Sequence, residues 1–476
     1  MRRLLAMLVD HLQGVLVARV PIVLFALAAS AAGCNSPRAT SAPSEDAAAS
    51  MLSSAQPKAD ETLEQRAARV HREAIIIDGH NDITMLMLAH NVDLADPEAK
   101  NKVMALQTDL PRMKAGGITG EFFSIYVEHT LAEKPTALGG GPARRALDMI
   151  DRVYQQAERH PESLLVATRA DDVRKAKQEG KVACLMGIEG GHAIENSLAT
   201  LREFHRLGVR YMTLTHTNTN DWADSAGINA AAPARHHGLS SFGEKVVREM
   251  QRIGMFVDIS HVSDETAEQV LKLAKAPVIA SHSSARALAP HRRNLSDDLL
   301  RAIAKNGGVA MINFYSGFLD TKFGEAEEAF AERHKKELAD LRERAKTDPM
   351  GAREAKARLR ASDPLPSVPF SVLIDHIEHV IAVAGIDHVG LGSDFDGVGA
   401  MPEGMDGIDS LPKITLELLR RGHSDEDVRK VLGGNFMRAF EAIEAYAKST
   451  NTTLSGDGDT TLIESTMPDA GPSKSR

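Results

Sequence analysis

A His-x-Asp pair begins three residues beyond the apolar run Ile75-Ile76-Ile77, in Asp78-Gly79-His80-Asn81-Asp82. Side chains alternate along an extended chain, so His80 and Asp82 are expected to face one point. An imidazole and a carboxylate converging at the end of a buried strand suit a divalent metal of the zinc kind. One such pair is weak, because a loop histidine beside a solvated aspartate has the same spelling. The weight comes from recurrence. Glu189 follows the apolar run 182–188, and Thr215-His216 follows 209–214. His261 stands past 255–259, Ser281-His282-Ser283 past 277–280, and Gly392-Ser393-Asp394 past 388–391.

These residues need elements to carry them. The runs 75–77, 121–127, 182–188, 209–214, 255–259, 277–280, 309–314 and 388–391 read as short buried strands. Between them lie segments with helical spacing, among them 142–159, 171–178, 197–207, 241–253, 264–275, 296–305 and 371–384, most of them ending at glycine. Strand and helix alternating eight times predicts an α/β fold, a (β/α)8 TIM-type barrel, in which working residues gather at the carboxyl ends of the strands. A doubly wound open sheet would instead concentrate them at one switch point. The stretch 322–360, dense in Glu, Lys, Arg and Ala, reads as a charged helical insertion after strand seven.

Three imidazoles (His80, His261, His282) and two carboxylates (Asp82, Glu189) are too few for two separate metal shells. They suffice if Glu189 bridges, with His80, Asp82 and Glu189 on one ion and Glu189, His261 and His282 on the other. Each ion then keeps an open position. Two ions about 3.5–4 Å apart can share a hydroxide and clamp an attacked carbonyl.

Taken together, Asp78-Gly79-His80-Asn81-Asp82, Gly187-Ile188-Glu189-Gly190-Gly191-His192, Leu214-Thr215-His216, Asp258-Ile259-Ser260-His261, Ser281-His282-Ser283-Ser284 and Gly392-Ser393-Asp394-Phe395-Asp396-Gly397 resemble the membrane (renal-type) dipeptidases, binuclear zinc peptidases of the amidohydrolase-like barrels. The resemblance spans roughly 75–440. It implies hydrolysis of free dipeptides, L-Xaa-L-Xaa or L-Xaa-D-Xaa, by a metal-bridging hydroxide, with two Zn2+ per chain. It implies that His216 contacts substrate and stabilises the oxyanion, that Arg293 binds the substrate carboxylate, and that Asp394 holds the amine and serves in proton transfer. A homodimer is likewise implied by resemblance alone. The chain departs from the family in its anchor, its few cysteines, its long insertion and Phe123 where a Trp is expected.

Other polar residues have plainer readings. His376 and His379 sit in helical sequence and read as packing or surface groups. His236-His237 read as a solvated loop. His192 is a candidate to orient Glu189, Trp222 and Asp224 are candidates for the pocket wall, Tyr315 is a candidate to bond substrate or cap the barrel, and Asp396 is ambiguous beside Asp394.

Composition is that of a globular chain: 476 residues, 43% hydrophobic, 25% charged. A net charge of -9 leaves no basic footprint for nucleic acid. Residues 1–34 read as a lipoprotein-type signal peptide, with Arg2, Arg3 and Arg19, an apolar run at 20–32, and Ala31-Ala32-Gly33-Cys34 resembling a bacterial lipobox. Residues 35–60 read as a flexible tether, 61–448 as the barrel, and 449–476 as a disordered tail. The expected location is the bacterial cell envelope, with the exported enzyme lipid-anchored at Cys34. Cys184, the other cysteine, reads as a buried thiol. Two competing functions share these features: an N-acyl-amino-acid deacylase or other metal-dependent amidohydrolase, and a non-catalytic lipoprotein that binds peptides. Five ligands and open metal positions argue against the latter.

Overall fold

The computed structural model describes residues 61–96, 106–133, 140–228, 231–345 and 348–456. The predicted signal peptide and tether, including Cys34, lie outside the described residues. Among the described residues nine strands run in parallel: β1 (Ile77–Asn81), β2 (Gly120–Tyr126), β3 (Leu164–Val166), β4 (Val182–Glu189), β5 (Val209–Thr213), β6 (Phe256–Asp258), β7 (Ile279–Ala280), β8 (Val309–Ile312) and β9 (Val389–Leu391). β2 pairs directly with β4, and β9 pairs back onto β1, so eight strands close a barrel. This is the (β/α)8 architecture, not an open sheet. All but one of the strands overlap the expected apolar runs, β1 only at Ile77, because it continues through His80 to Asn81.

The exception is β3, which pairs with the first half of β4, Leu164↔Val182 to Val166↔Cys184. β5 joins β4 only from Met186 onward. β3 therefore covers the lower part of an edge that would otherwise expose its backbone donors and acceptors. Three residues are too few for a periodic signal, which is why sequence spacing misses it.

Helix ends follow local chemistry. Ser240 accepts from Gly243 N–H to start the helix Ser241–Ile253, and Gly254 ends it with φ 83. The barrel interior is filled near the strands' amino ends by Ile77, Phe122, Leu185, Tyr211, Phe256, Ile279, Val309 and Met311. Phe436 and Phe440 of the last helix pack against this plug. The predicted insertion forms three helices, Thr321–Arg333, Lys335–Ala345 and Pro349–Ser362. The last helix, Asn435–Gly456, carries helical backbone into the stretch expected to be a disordered tail; residues 457–476 lie outside the described residues. Among the described residues, no helix is long and apolar enough to cross a membrane.

Candidate active site

Glu189 ends β4, and its carboxylate is the focus of the barrel mouth. Its Oε1 lies 3.0 Å from His261 Nε2, 3.3 Å from His282 Nε2 and 3.7 Å from His80 Nε2. Asp82 Oδ2 is 3.5 Å from His80 Nε2. Three groups have donor atoms within 4.8 Å of one another: His80–Glu189–His282, Glu189–His216–His261 and His80–Asp82–Asp394. The five candidate ligands thus converge, and His216 and Asp394 share their space. The grouping is more interleaved than the two expected sets, because His282 also stands beside His80, with ring centroids 3.9 Å apart.

His80 and Asp82 do not converge through strand alternation. Ile77 belongs to the interior plug, and a Cβ on Gly79 would lie 2.6 Å from Met311 Sδ, so residues 77 and 79 face inward. Strict alternation would send His80 outward. The β1–β2 register slips between Asp78 and Asn81, and this irregularity turns His80 into the barrel. Asp82 lies past the strand, at the start of the helix Ile83–His90, with φ -95 and ψ 12. A register slip and a helix start bring the pair together.

His261 and Asp394 occupy the left-handed region, at φ 68 and 65. Such backbone costs on the order of 1–3 kcal/mol and persists only where its surroundings hold it. The His261 carbonyl accepts from Ala226 N–H (2.9 Å), Ser225 Oγ (3.1 Å) and Thr215 Oγ1 (3.2 Å). The Asp394 N–H donates to the His80 carbonyl at 3.0 Å.

A second layer aims the rings. Tyr211 Oη is 2.8 Å from His80 Nδ1, and Ser281 Oγ is 2.7 Å from His282 Nδ1. Ser281 in turn donates to buried Asp258 (2.6 Å), which also accepts from Thr213 Oγ1 at 2.5 Å. Nε2 of both imidazoles is thereby left for the centre.

Burial opposes charge throughout the site. It holds His261 and His282 well below the ordinary histidine value, with Arg293 and His80 respectively adding to the effect. It lowers His216 to about 3, helped by Arg293. It lifts Glu189 to about 8 and Asp394 to about 7, against the pull of His80 in both cases. His80 itself is raised to about 10, because the charges of Glu189 and Asp82 outweigh its burial.

These residues fit a metal. His80 Nε2 and Asp82 Oδ1 are buried without a hydrogen-bond partner, and His261 Nε2 faces His282 Nε2 at 2.9 Å. Buried lone pairs gathered around one carboxylate oxygen are costly unless a cation takes them. Mixed imidazole and carboxylate donors are those of zinc-type ions.

The remaining candidates fall as follows. Arg293 is buried, its NH1 on Ser283 Oγ (3.2 Å) and its NH2 on the His282 carbonyl (3.1 Å). His192 bonds the Val127 carbonyl at 2.8 Å, so it ties strand ends together and does not orient Glu189. Trp222 is in the core, and Asp224 accepts the backbone N–H groups of Arg235, His236 and Gly238; both build the loop, not the pocket wall. Asp396 braces Gln107. Phe123 lies in the layer beneath the helices, while its neighbour Phe122 points inward, so the exchange for Trp does not shape the pocket. His376 packs between Ala285 N–H and the Leu319 carbonyl, and His379 pairs with Asp297 on a half-buried helix face. Sequence reasoning missed Tyr211 and Asn313 as site residues. Asn313 donates to Asp394 Oδ2 at 2.8 Å, and a polar residue near the end of the apolar run 309–314 was the available signal.

A family model described as membrane dipeptidase (peptidase family M19) matches residues 64–454. Dipeptidase 3 of Rattus norvegicus is 35% identical over 393 residues, 81% of this chain and 68% of that protein. The probable dipeptidase PvdM from Pseudomonas aeruginosa superposes with a TM-score of 0.66 at 26% identity, covering 81% of this chain and 99% of that one. A metallo peptidase from Rhodobacter sphaeroides, liganded with a phosphinate mimic of the dipeptide L-Ala-D-Ala, gives a TM-score of 0.60 at 26% identity over 78% of this chain and 100% of that one.

Proposed function

The chain belongs to the membrane dipeptidase family, peptidase family M19, and from that premise we propose that it hydrolyses the peptide bond of free dipeptides, L-Xaa-L-Xaa or L-Xaa-D-Xaa, with two zinc ions that His80, Asp82, Glu189, His261 and His282 would hold. It is an enzyme, a metallopeptidase. The observation that carries the reading is Glu189 Oε1, a single carboxylate oxygen within 3.0, 3.3 and 3.7 Å of three imidazole nitrogens.

In this reading His80, Asp82 and Glu189 would hold one ion, and Glu189, His261 and His282 the other. When bound, the ions supply Lewis-acid polarisation of the amide carbonyl and lower the pKa of water. The chain's own groups do the rest. A dipeptide carries an ammonium at one end, a carboxylate at the other and one amide between. Arg293, a buried cation whose Nε has no hydrogen-bond partner, suits the carboxylate. Asp394, oriented by Asn313, suits the ammonium. As a carboxylate it can also take a proton from the attacking water and pass it to the leaving nitrogen. His216, kept neutral, donates to the oxygen on which charge develops.

The test is hydrolysis of a panel of L,L and L,D dipeptides with and without a chelator. Cleavage lost to chelator and restored by zinc is the expected result. No cleavage by folded protein loaded with two zinc ions overturns it and favours the deacylase. Export and lipid anchoring at Cys34, and a homodimer, remain part of this proposal. Fatty-acid labelling that Cys34→Ser abolishes is expected, and equal labelling of both forms would remove the anchor; sedimentation gives the oligomeric state.

A further inference from the structure

The charged insertion is fastened to the site at two points. Tyr315 stands three residues past β8, and its hydroxyl donates to Glu327 on the insertion helix Thr321–Arg333. The other Glu327 oxygen accepts from Arg360 NH2 at 2.7 Å, on the helix Pro349–Ser362. Arg360 NH1 reaches the Gly399 carbonyl at 3.3 Å, in the loop that leads away from Asp394. The next residue of that loop, Ala400, accepts from Ser316 N–H at 3.0 Å. One residue then joins Tyr315 to Asp394: Asn313 Oδ1 accepts Tyr315 N–H at 2.6 Å, while its Nδ2 donates to Asp394 Oδ2 at 2.8 Å. The Tyr315 ring also meets Phe318, 4.9 Å between centroids, and the Arg293 guanidinium lies 5.3 Å from the Phe318 ring.

We propose that the insertion is a working part of the site. Glu327 and Arg360 are positioning residues that hold Tyr315 and the 393–400 loop, and through Asn313 the Asp394 carboxylate, at the end of the pocket that takes the substrate's ammonium. This rests on the dipeptidase reading above. Both side chains of the pair are 26% exposed. A single pair that is still partly in contact with solvent adds modestly to stability, and what it gives the site is geometry. The geometry is also specific: one carboxylate accepts from a phenol and a guanidinium at once, and each donor is anchored to a different segment of the mouth.

The experiment measures Ki for a phosphinate dipeptide analogue with a free amine and for its N-acetylated form, in the full chain loaded with zinc. The ratio of the two does not depend on the fraction of active protein, so partial unfolding cannot imitate the effect. In Glu327→Ala and Arg360→Met the preference for the free amine is expected to fall about tenfold, while Arg360→Lys keeps most of it, since groups one shell out from a site typically act at this scale. Wild-type preference retained in both disruptive variants overturns the role of the insertion and leaves the dipeptidase reading intact. A wild-type protein that ignores the amine overturns the Asp394 assignment, and this proposal with it.

Discussion

The phenolic oxygen of Tyr211 stands 2.8 Å from Nδ1 of His80, so the two rings form a fixed pair on the inner wall of the barrel. With Nδ1 engaged, Nε2 is the nitrogen turned toward Glu189. Burial pushes the Tyr211 hydroxyl well above its ordinary pKa, so it remains a neutral group. Gly187 makes the arrangement possible, because a Cβ there would overlap the tyrosine ring.

Tyr211→Phe keeps the ring and removes the hydroxyl. Zinc affinity is expected to fall by roughly tenfold to a hundredfold, the usual effect of losing the partner of a ligand histidine. Competition against a chromogenic chelator measures it. An affinity equal to that of the wild type would show that packing alone orients His80.

Arg293 is a buried cation 3% exposed, and burial lowers its pKa to about 10, so it stays charged at neutral pH. Arg293→Met is expected to raise KM for free dipeptides by about a hundredfold, with kcat changing much less, since a charge-assisted fork to a carboxylate is lost from ground and transition states alike. The wild type should also prefer a free dipeptide to its carboxyl-terminal amide, and the variant should not. Preference surviving in the variant would place the carboxylate elsewhere.

Glu121 lies opposite Asp78 in the β1–β2 register and is fully buried. Burial pushes its pKa well above 4.5, and the charges of Asp78 and Asp396 push it further. The folded chain therefore holds this proton at pH values where the unfolded chain has released it. The resulting stability is present below about 4.5 and is lost as pH rises through the folded value. Glu121→Gln removes the ionisation, so the variant is expected to exceed the wild type in Tm at pH 8, with a smaller gap at pH 5. Melting curves of both proteins at the two pH values test this. A variant less stable than the wild type at pH 8 would show that the carboxylate is needed as an anion.

Much of the site was legible because its signals are local. Glu189, His216, His261, His282 and Asp394 each stand at or within three residues of the end of an apolar strand, and the barrel rule carries such positions to one mouth. The readings that failed concerned direction. His192 is as close in sequence to a strand end as the site residues, yet its ring bonds the Val127 carbonyl, and Asp224, farther along the loop after β5, bonds backbone groups of its own loop. Phe123, where the resemblance expects a Trp, packs in the outer layer, because the pleat of β2 turns it away from the barrel interior that Phe122 faces.

The order of strands and helices, the barrel they imply and the set of residues at its mouth were determined by the sequence itself, because hydrophobic period and stop signals act over a few residues. The tertiary structure decided what those residues face. The slip at Asp78–Asn81 re-aims His80, Tyr211 reaches His80 across 131 positions, Asn313 reaches Asp394 across 81, and Glu327 and Arg360 meet across 33. Contacts between segments so far apart arise only when the closed barrel brings them together, and no local pattern encodes a hydrogen bond whose two partners share no periodicity.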